Sequence, residues 1–155
     1  MKHSLRLAGA ALILVLGLAA CKSEKPAAVD PFDPDKGTTA AEGEVERFHR
    51  LWNADEFKAV YDDAHEKLRK SQTAEEYVAK LEQVKGNYGA FKSTKKRRSG
   101  VSSDKNENII KLSYDSTYER GSAVEVFAYR MTTYRALLYS YDIMSPEEAK
   151  KQEAE

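Results

Sequence analysis

Beyond the first twenty residues, the groups in this 155-residue chain with capacity for chemistry are two histidines, nearby carboxylates and one run of cations. His49 stands next to Phe48 and one helical turn before Trp52 in the segment FHRLWN. A histidine held against a carboxylate can take and return a proton near neutral pH. Asp115 is a carboxylate to weigh against it, but the alternation of its segment puts Asp115 on the polar side with Lys111, Ser113 and Thr117. His65 follows Ala64 on a highly charged stretch and is expected to be exposed. No nucleophile–histidine–acid set, paired-carboxylate spacing or phosphate loop accompanies them, so no catalytic residue is assigned. HxH, HExxH and CxxC patterns are absent as well, and neither a metal nor a cofactor is called for. The cations are Lys92, Lys95, Lys96, Arg97 and Arg98. On a regular strand Lys92, Lys96 and Arg98 share one side, and Lys95 and Arg97 the other. Such a run suits an anionic partner, or serves an edge strand whose lysines prevent mispairing.

The first 21 residues, MKHSLRLAGAALILVLGLAAC, join a basic start at Lys2 and Arg6 to an apolar run from Leu7 to Ala20. The run is short for a membrane span, which takes about 20 apolar residues, and it has the layout of an export signal. The ending Leu-Ala-Ala-Cys resembles the lipobox of bacterial lipoproteins. That resemblance implies cleavage before Cys21, a thioether lipid on its sulfur and acylation of the new amino terminus. More than one acyl chain holds a protein stably to a bilayer, where a single chain binds with an association constant of only about 10⁴ M⁻¹. Lys22 follows, rather than the aspartate of inner-membrane retention, which favours the outer membrane in a cell with two membranes.

The whole chain has 25 basic and 25 acidic residues. Without Lys2 and Arg6 the balance is 23 against 25, a net charge of about −2, and global charge gives no argument for nucleic acid. With the only cysteine acylated no disulfide can form, so apolar packing must hold the fold. The division expected is a signal peptide over 1–20, the lipidated cysteine and a flexible tether over 21–41, one α+β domain over 42–144, and a terminal helix or disordered tail over 145–155. The tether reading rests on Pro26, Pro31, Pro34, Gly37 and the lack of apolar periodicity.

Helical spacing predicts a first helix over 41–53 with Val45, Phe48, His49 and Trp52 on one face. A second carries the stripe Phe57, Val60, Tyr61, Ala64 and Leu68. A third opens on the capping box Thr73–Glu76, buries Tyr77, Val78, Leu81 and Val84, and stops at Gly86. After Gly89 the period changes to two, and strands are expected over 90–101, 107–119, 123–131 and 135–143. Hairpin connections make the sheet an antiparallel meander. The last two strands are apolar on both sides: Val124, Val126 and Ala128 oppose Phe127, Tyr129 and Met131, while Leu137, Tyr139 and Tyr141 oppose Ala136 and Leu138. A second cover is therefore expected, from a second copy of the chain, the tether or the C-terminal helix.

The segments FHRLWNADEFKAVYDDAHEKLRKSQTAEEYVAKLEQVKGNYGAFKS and IIKLSYDSTYERGSAVEVFAYRMTTYRALLYSYDIMS, with Leu138, Tyr141 and Ile143 at the last strand's end, resemble small uncharacterised domains of the nuclear-transport-factor-2-like superfamily. Thr132-Thr133-Tyr134 departs from the glycine-containing turn of those domains. The resemblance implies three helices packed on a curved four-stranded, mainly antiparallel sheet that closes as a cone. It implies a pocket at the wide end, for which Trp52, Tyr61, Tyr114, Tyr129 and Tyr139 are the candidate lining. It also implies a homodimer formed through the sheet. The function expected is a non-catalytic module for a small apolar ligand or an envelope protein. Two alternatives remain open: a hydrolase or isomerase using the cone pocket, and a binder of an anionic envelope polymer through the basic strand.

Overall fold

The computed structural model describes residues 32–104, 107–133 and 135–154. The expected signal segment, Cys21 and the first part of the tether lie outside the described residues. The chain runs α1 (Pro34–Asn53), α2 (Phe57–Asp62), α3 (Glu66–Ser71), α4 (Ala74–Tyr88), β1 (Phe91–Asp104), β2 (Glu107–Tyr118), β3 (Gly121–Met131), β4 (Ala136–Met144) and α5 (Pro146–Ala154). It is an α+β fold with one antiparallel sheet in the order β1-β2-β3-β4, the meander expected from the hairpin connections. Two features differ from the expected order of three helices followed by four strands. Four helices precede the sheet, and a fifth follows it.

The helix α1 begins at Pro34, inside the stretch read as tether. The carboxylate of Asp33 accepts from the backbone N–H groups of Asp35 and Lys36 at 3.0 and 3.2 Å, and Pro34 occupies the first turn, where its missing N–H costs nothing. Gly37 is buried where a Cβ would stand 2.8 Å from both Ile110 Cδ1 and Phe32 Cε2. Two residues that look like helix breakers are thus a start signal and a close approach of helix to sheet.

The stripe Phe57, Val60, Ala64 and Leu68 is buried as its spacing predicts, but the segment is two helices. Between them the backbone N–H of His65 donates to the carbonyl of Leu138 in β4 at 2.8 Å, a bond that a continuous helix would forfeit. His65 is buried rather than exposed. The capping box of α4 forms as expected, with Glu76 N–H bonded to Thr73 and Thr73 N–H bonded to Glu76. The helix ends at Tyr88, not Gly86; Gly89 closes it at φ +80°, a conformation glycine alone adopts freely.

In β2 the inward residues Ile110, Leu112, Tyr114, Ser116 and Tyr118 are all buried against the helices. In β4 a bulge leaves Tyr139 without a partner in β3, because Leu138 pairs with Tyr129 and Ser140 with Ala128. Ala136, Leu138 and Tyr141 therefore share the inner face, a grouping that strict alternation forbids. Two more bulges, at Lys92 and Arg97, break the alternation of β1. On the outer face Val124 and Ala128 of β3 are buried, and the element packed there is α5, with Ala149 buried against the sheet. The second cover demanded by two-sided apolarity is present within the chain. Among the described residues no helix is long and apolar enough to cross a membrane.

Candidate functional site

One face of α1 repeats every turn along the edge of the sheet: Glu42, Val45 and Glu46, His49 and Arg50, then Asn53. Facing it is the start of β1, from Phe91 to Lys96, with Tyr114 of β2 behind. Between them lies an open cleft of about 590 Å³. Asn53 closes one end as a strand would, donating to the carbonyl of Phe91 at 3.1 Å and accepting from its N–H at 2.8 Å. The bulge at Lys92 follows immediately and interrupts the regular alternation of β1.

The ring of His49 stacks on Phe91, with centroids 3.7 Å apart and planes 4° from parallel. Its Nε2 lies 2.9 Å from Oε2 of Glu125, a residue in the middle of β3 with no exposed surface. The same carboxylate accepts from the hydroxyl of Tyr141 at 3.0 Å and from the hydroxyl of Ser116. Ser116 in turn lies 2.9 Å from the hydroxyl of Thr94, which lines the cleft. Since Ser116 spends its proton on Glu125, Thr94 is the donor to Ser116. Burial pushes the Glu125 carboxyl up, but the hydrogen bond and charge of His49 and the hydroxyl of Ser116 outweigh it and hold the group below the usual carboxylate range. A buried carboxylate is tolerable when it is hydrogen-bonded, and His49, Ser116 and Tyr141 are its hydrogen-bond partners.

Two polar groups at this cleft, His49 Nδ1 and the Tyr114 hydroxyl, have no hydrogen-bond partner among the described residues. His49 is 4 % exposed and Tyr114 6 % exposed. Among the described residues the buried side-chain atoms sealed away without a hydrogen bond are the hydroxyls of Tyr77 and Tyr118 alone. The unpaired Nδ1 of His49 and hydroxyl of Tyr114 are not among them, so both reach solvent, and the surface to which both residues contribute is the cleft. Burial and the charges of Glu42, Glu46 and Glu125 push the Tyr114 hydroxyl up to about 12, so it stays protonated as a donor.

Of the five aromatic residues taken as pocket lining, Tyr114 alone lines this cleft. Trp52 is core, its Nε1 donating to the carbonyl of Gly89 at 3.0 Å. Tyr61 reaches the carbonyls of Arg69 and Gln72 at 3.0 and 2.9 Å and ties the short helices together. Tyr129 is buried, stacked beside Phe127, and borders a void of about 20 Å³. Tyr139 sits at the bulge under Lys67, whose Nζ is 4.3 Å from the ring centre. The aromatic residues of helices and sheet fill the interior between them.

The cations also divide differently from the regular alternation. Lys92 and Lys96 line the cleft, and Lys96 pairs with Glu42 at 2.7 Å. Arg97 and Arg98 both reach Glu153 of α5, and Arg97 reaches Asp115 at 3.4 Å. Lys95 stands exposed opposite Asp115. The bulge at Arg97 is what places two consecutive arginines against one carboxylate. Asp115, weighed as a partner for His49, belongs to the outer face.

Glu125 escaped the reading of the sequence, although a signal was there. It occupies the inward register of β3 with Ala123, Phe127 and Tyr129, and a carboxylate at a core position demands a buried donor. Ser116, inward on β2, is the second polar residue at a core position of this sheet. Among the described residues no cluster of histidine, cysteine and carboxylate side chains could hold a metal ion. In comparisons with known proteins, no family model and no curated protein matches this chain.

Proposed function

We propose that the chain is an exported lipoprotein, held to the membrane through acylated Cys21, whose domain holds a small ligand in the cleft between α1 and β1. The order of helices and meander is consistent with a cone-shaped domain of the nuclear-transport-factor-2-like superfamily. The observation that carries ligand binding is the open cleft of about 590 Å³ itself, to which two nearly buried residues, His49 and Tyr114, contribute beside the apolar Val45 and Phe91. A concave surface with apolar wall and a few convergent polar groups is the usual form of a small-ligand site. Mapping amide shifts of the labelled protein against a library of small fragments tests this. Perturbations should centre on Val45, His49, Phe91 and Tyr114; a library that perturbs only other surfaces would remove the proposal.

The anchor has its own test. Cys21→Ser should move the protein from the membrane to soluble or unprocessed fractions; processed, membrane-bound protein after that substitution counts against lipidation. With Lys22 after the cysteine, the periplasmic face of the outer membrane is the location proposed for a cell with two membranes.

A second reading, an enzyme of the hydrolase or isomerase class, draws on one observation: a histidine oriented by a buried carboxylate beside a cleft. With Nε2–H donated to Glu125, a neutral His49 ring turns its Nδ1 lone pair toward a ligand as a general base. Nitrogen shifts of the ring near neutral pH decide whether that tautomer exists. A ring protonated on both nitrogens excludes it as the base.

A further inference from the structure

We propose that α3 is a proton-operated latch: a proton on His65 releases Glu66–Ser71 from the sheet while the other elements stay closed. Neither His65 nor any residue of α3 lines the α1–β1 cleft, so the latch does not depend on a ligand there.

His65 carries both the start of α3 and its attachment. Its Nδ1 accepts from the Lys67 N–H at 3.2 Å as the N-cap, and its carbonyl accepts from the N–H groups of Leu68 and Arg69 at 3.0 and 3.3 Å. Its own N–H donates to the carbonyl of Leu138 in β4 at 2.8 Å. The ring is 8 % exposed, and its Nε2 lies 3.0 Å from the Arg130 guanidinium of β3. A neutral ring satisfies one of these two donors and a protonated ring neither. The added charge also meets Arg130 directly. The acids around the ring already have cations. Glu107 of β2 holds Arg130 and Glu66 of α3 holds Lys70, each at 2.9 Å. At the end of α2, Asp62 holds Lys58, and Asp63 holds Arg47 and Arg135. Lys67 and Arg69 of α3 add positive charge, and the Tyr139 hydroxyl of β4 accepts from Lys67.

Little else holds α3. It has six residues, too few for a helix to be stable alone, and Leu68 is its one buried side chain. Its remaining ties are polar: Tyr61 to the carbonyls of Arg69 and Gln72, and Arg69 to the carbonyl of Asp62. Segments with few apolar contacts open locally, at less cost than the whole fold. An open α3 leaves His65 at its ordinary 6.5, whereas burial and Arg130 lower it in the closed form. Between those two values the opening constant rises about ten-fold per pH unit as pH falls.

Amide hydrogen exchange of the whole chain, read as protection factors between about pH 7.5 and 5, tests the latch. Protection at His65, Leu68 and Arg69 should fall by up to about ten-fold per pH unit below the ordinary histidine value, while Leu81 in α4 and Leu112 in β2 keep theirs. His65→Asn keeps an N-cap acceptor that does not titrate, and it should hold α3 protected across the range. A flat profile in the unaltered chain, the same fall in His65→Asn, or an equal fall at Leu81 and Leu112 each overturns the proposal. Ring nitrogen shifts of the unaltered chain give a second reading that needs no variant. His65 should titrate below 6.5, and the α3 amide signals should change with it. Titration at 6.5 or above, or without any change in α3, overturns the proposal as well.

Discussion

The imidazole of His49 and the carboxylate of Glu125 meet at 2.9 Å between a helix and the third strand of the sheet, one ring edge reaching the cleft and the other the protein interior. This contact joins α1 to β3 across the core, and it links the cleft surface to the hydroxyls of Ser116, Tyr141 and Thr94. A polar network at this depth specifies one packing of helix on sheet only while every member is satisfied.

The pair should therefore be strongly coupled in stability. Removing one partner leaves the other buried without it and costs about 3–5 kcal/mol. Glu125→Leu and His49→Phe are each expected in that range by urea unfolding. The double variant should lose much less than the sum of the two, because neither group is then left without its partner. Additive losses would show that the two groups do not depend on each other.

Acid should weaken the fold in two separate windows. Burial and the nearby Arg130 charge depress the His65 imidazole below its ordinary 6.5, partly opposed by Glu66 and Glu107. The Lys67 backbone N–H donates to its Nδ1 at 3.2 Å and the Arg130 guanidinium lies 3.0 Å from its Nε2; a neutral ring can accept at one nitrogen and a protonated ring at neither, which favours the unprotonated ring. Below its ordinary value the unfolded chain takes this proton first, so stability is present above it and falls as pH drops through the folded value. Glu125 is also depressed, from 4.5, and adds a second loss below that pH. Thermal midpoints between about pH 7.5 and 5.5 should decline, and His65→Gln should flatten that decline without touching the lower one. An unchanged slope in the variant would place the titrating group elsewhere.

The helix α5 should keep the outer face of the sheet from self-association. It buries Ala149 against the face that carries Val124 and Ala128, and Glu153 holds Arg97 and Arg98. Deleting residues 146–155 exposes those apolar residues together, and an exposed apolar strand surface recruits another copy. Sedimentation of the shortened chain should show association that the intact chain lacks. Intact protein that already dimerises at tens of micromolar would mean the sheet is an interface even with α5 in place.

Two glycines of α1 should answer alanine in opposite directions. At Gly43 a Cβ would have nothing within 4 Å, so Gly43→Ala gains helix propensity of about 0.8–1 kcal/mol. At Gly37 the new methyl would press on Ile110 and Phe32 at 2.8 Å, and overpacking costs about 1–3 kcal/mol. Chemical denaturation of the two variants separates these effects. Equal responses would mean that α1 does not approach the sheet as closely as its glycine implies.

The periodicities of this chain determine its helical and strand segments, the order of the meander and the burial of stripes such as Phe57, Val60, Ala64 and Leu68, because each depends on neighbours within one or two turns. Where α1 starts was misread, since Pro34 and Gly37 mean opposite things at a helix terminus and in a tether. Only the tertiary structure decided that three strand bulges would regroup Lys92, Arg97 and Tyr139, and that the partner of His49 would be Glu125 rather than Asp115. Register between distant segments is set by packing across the whole core, and a one-residue shift in a strand sends a side chain to the opposite face. The candidate site lies at the edge where α1 meets β1, beside the bulge at Lys92, and its residues are scattered through the chain with no local pattern to announce them.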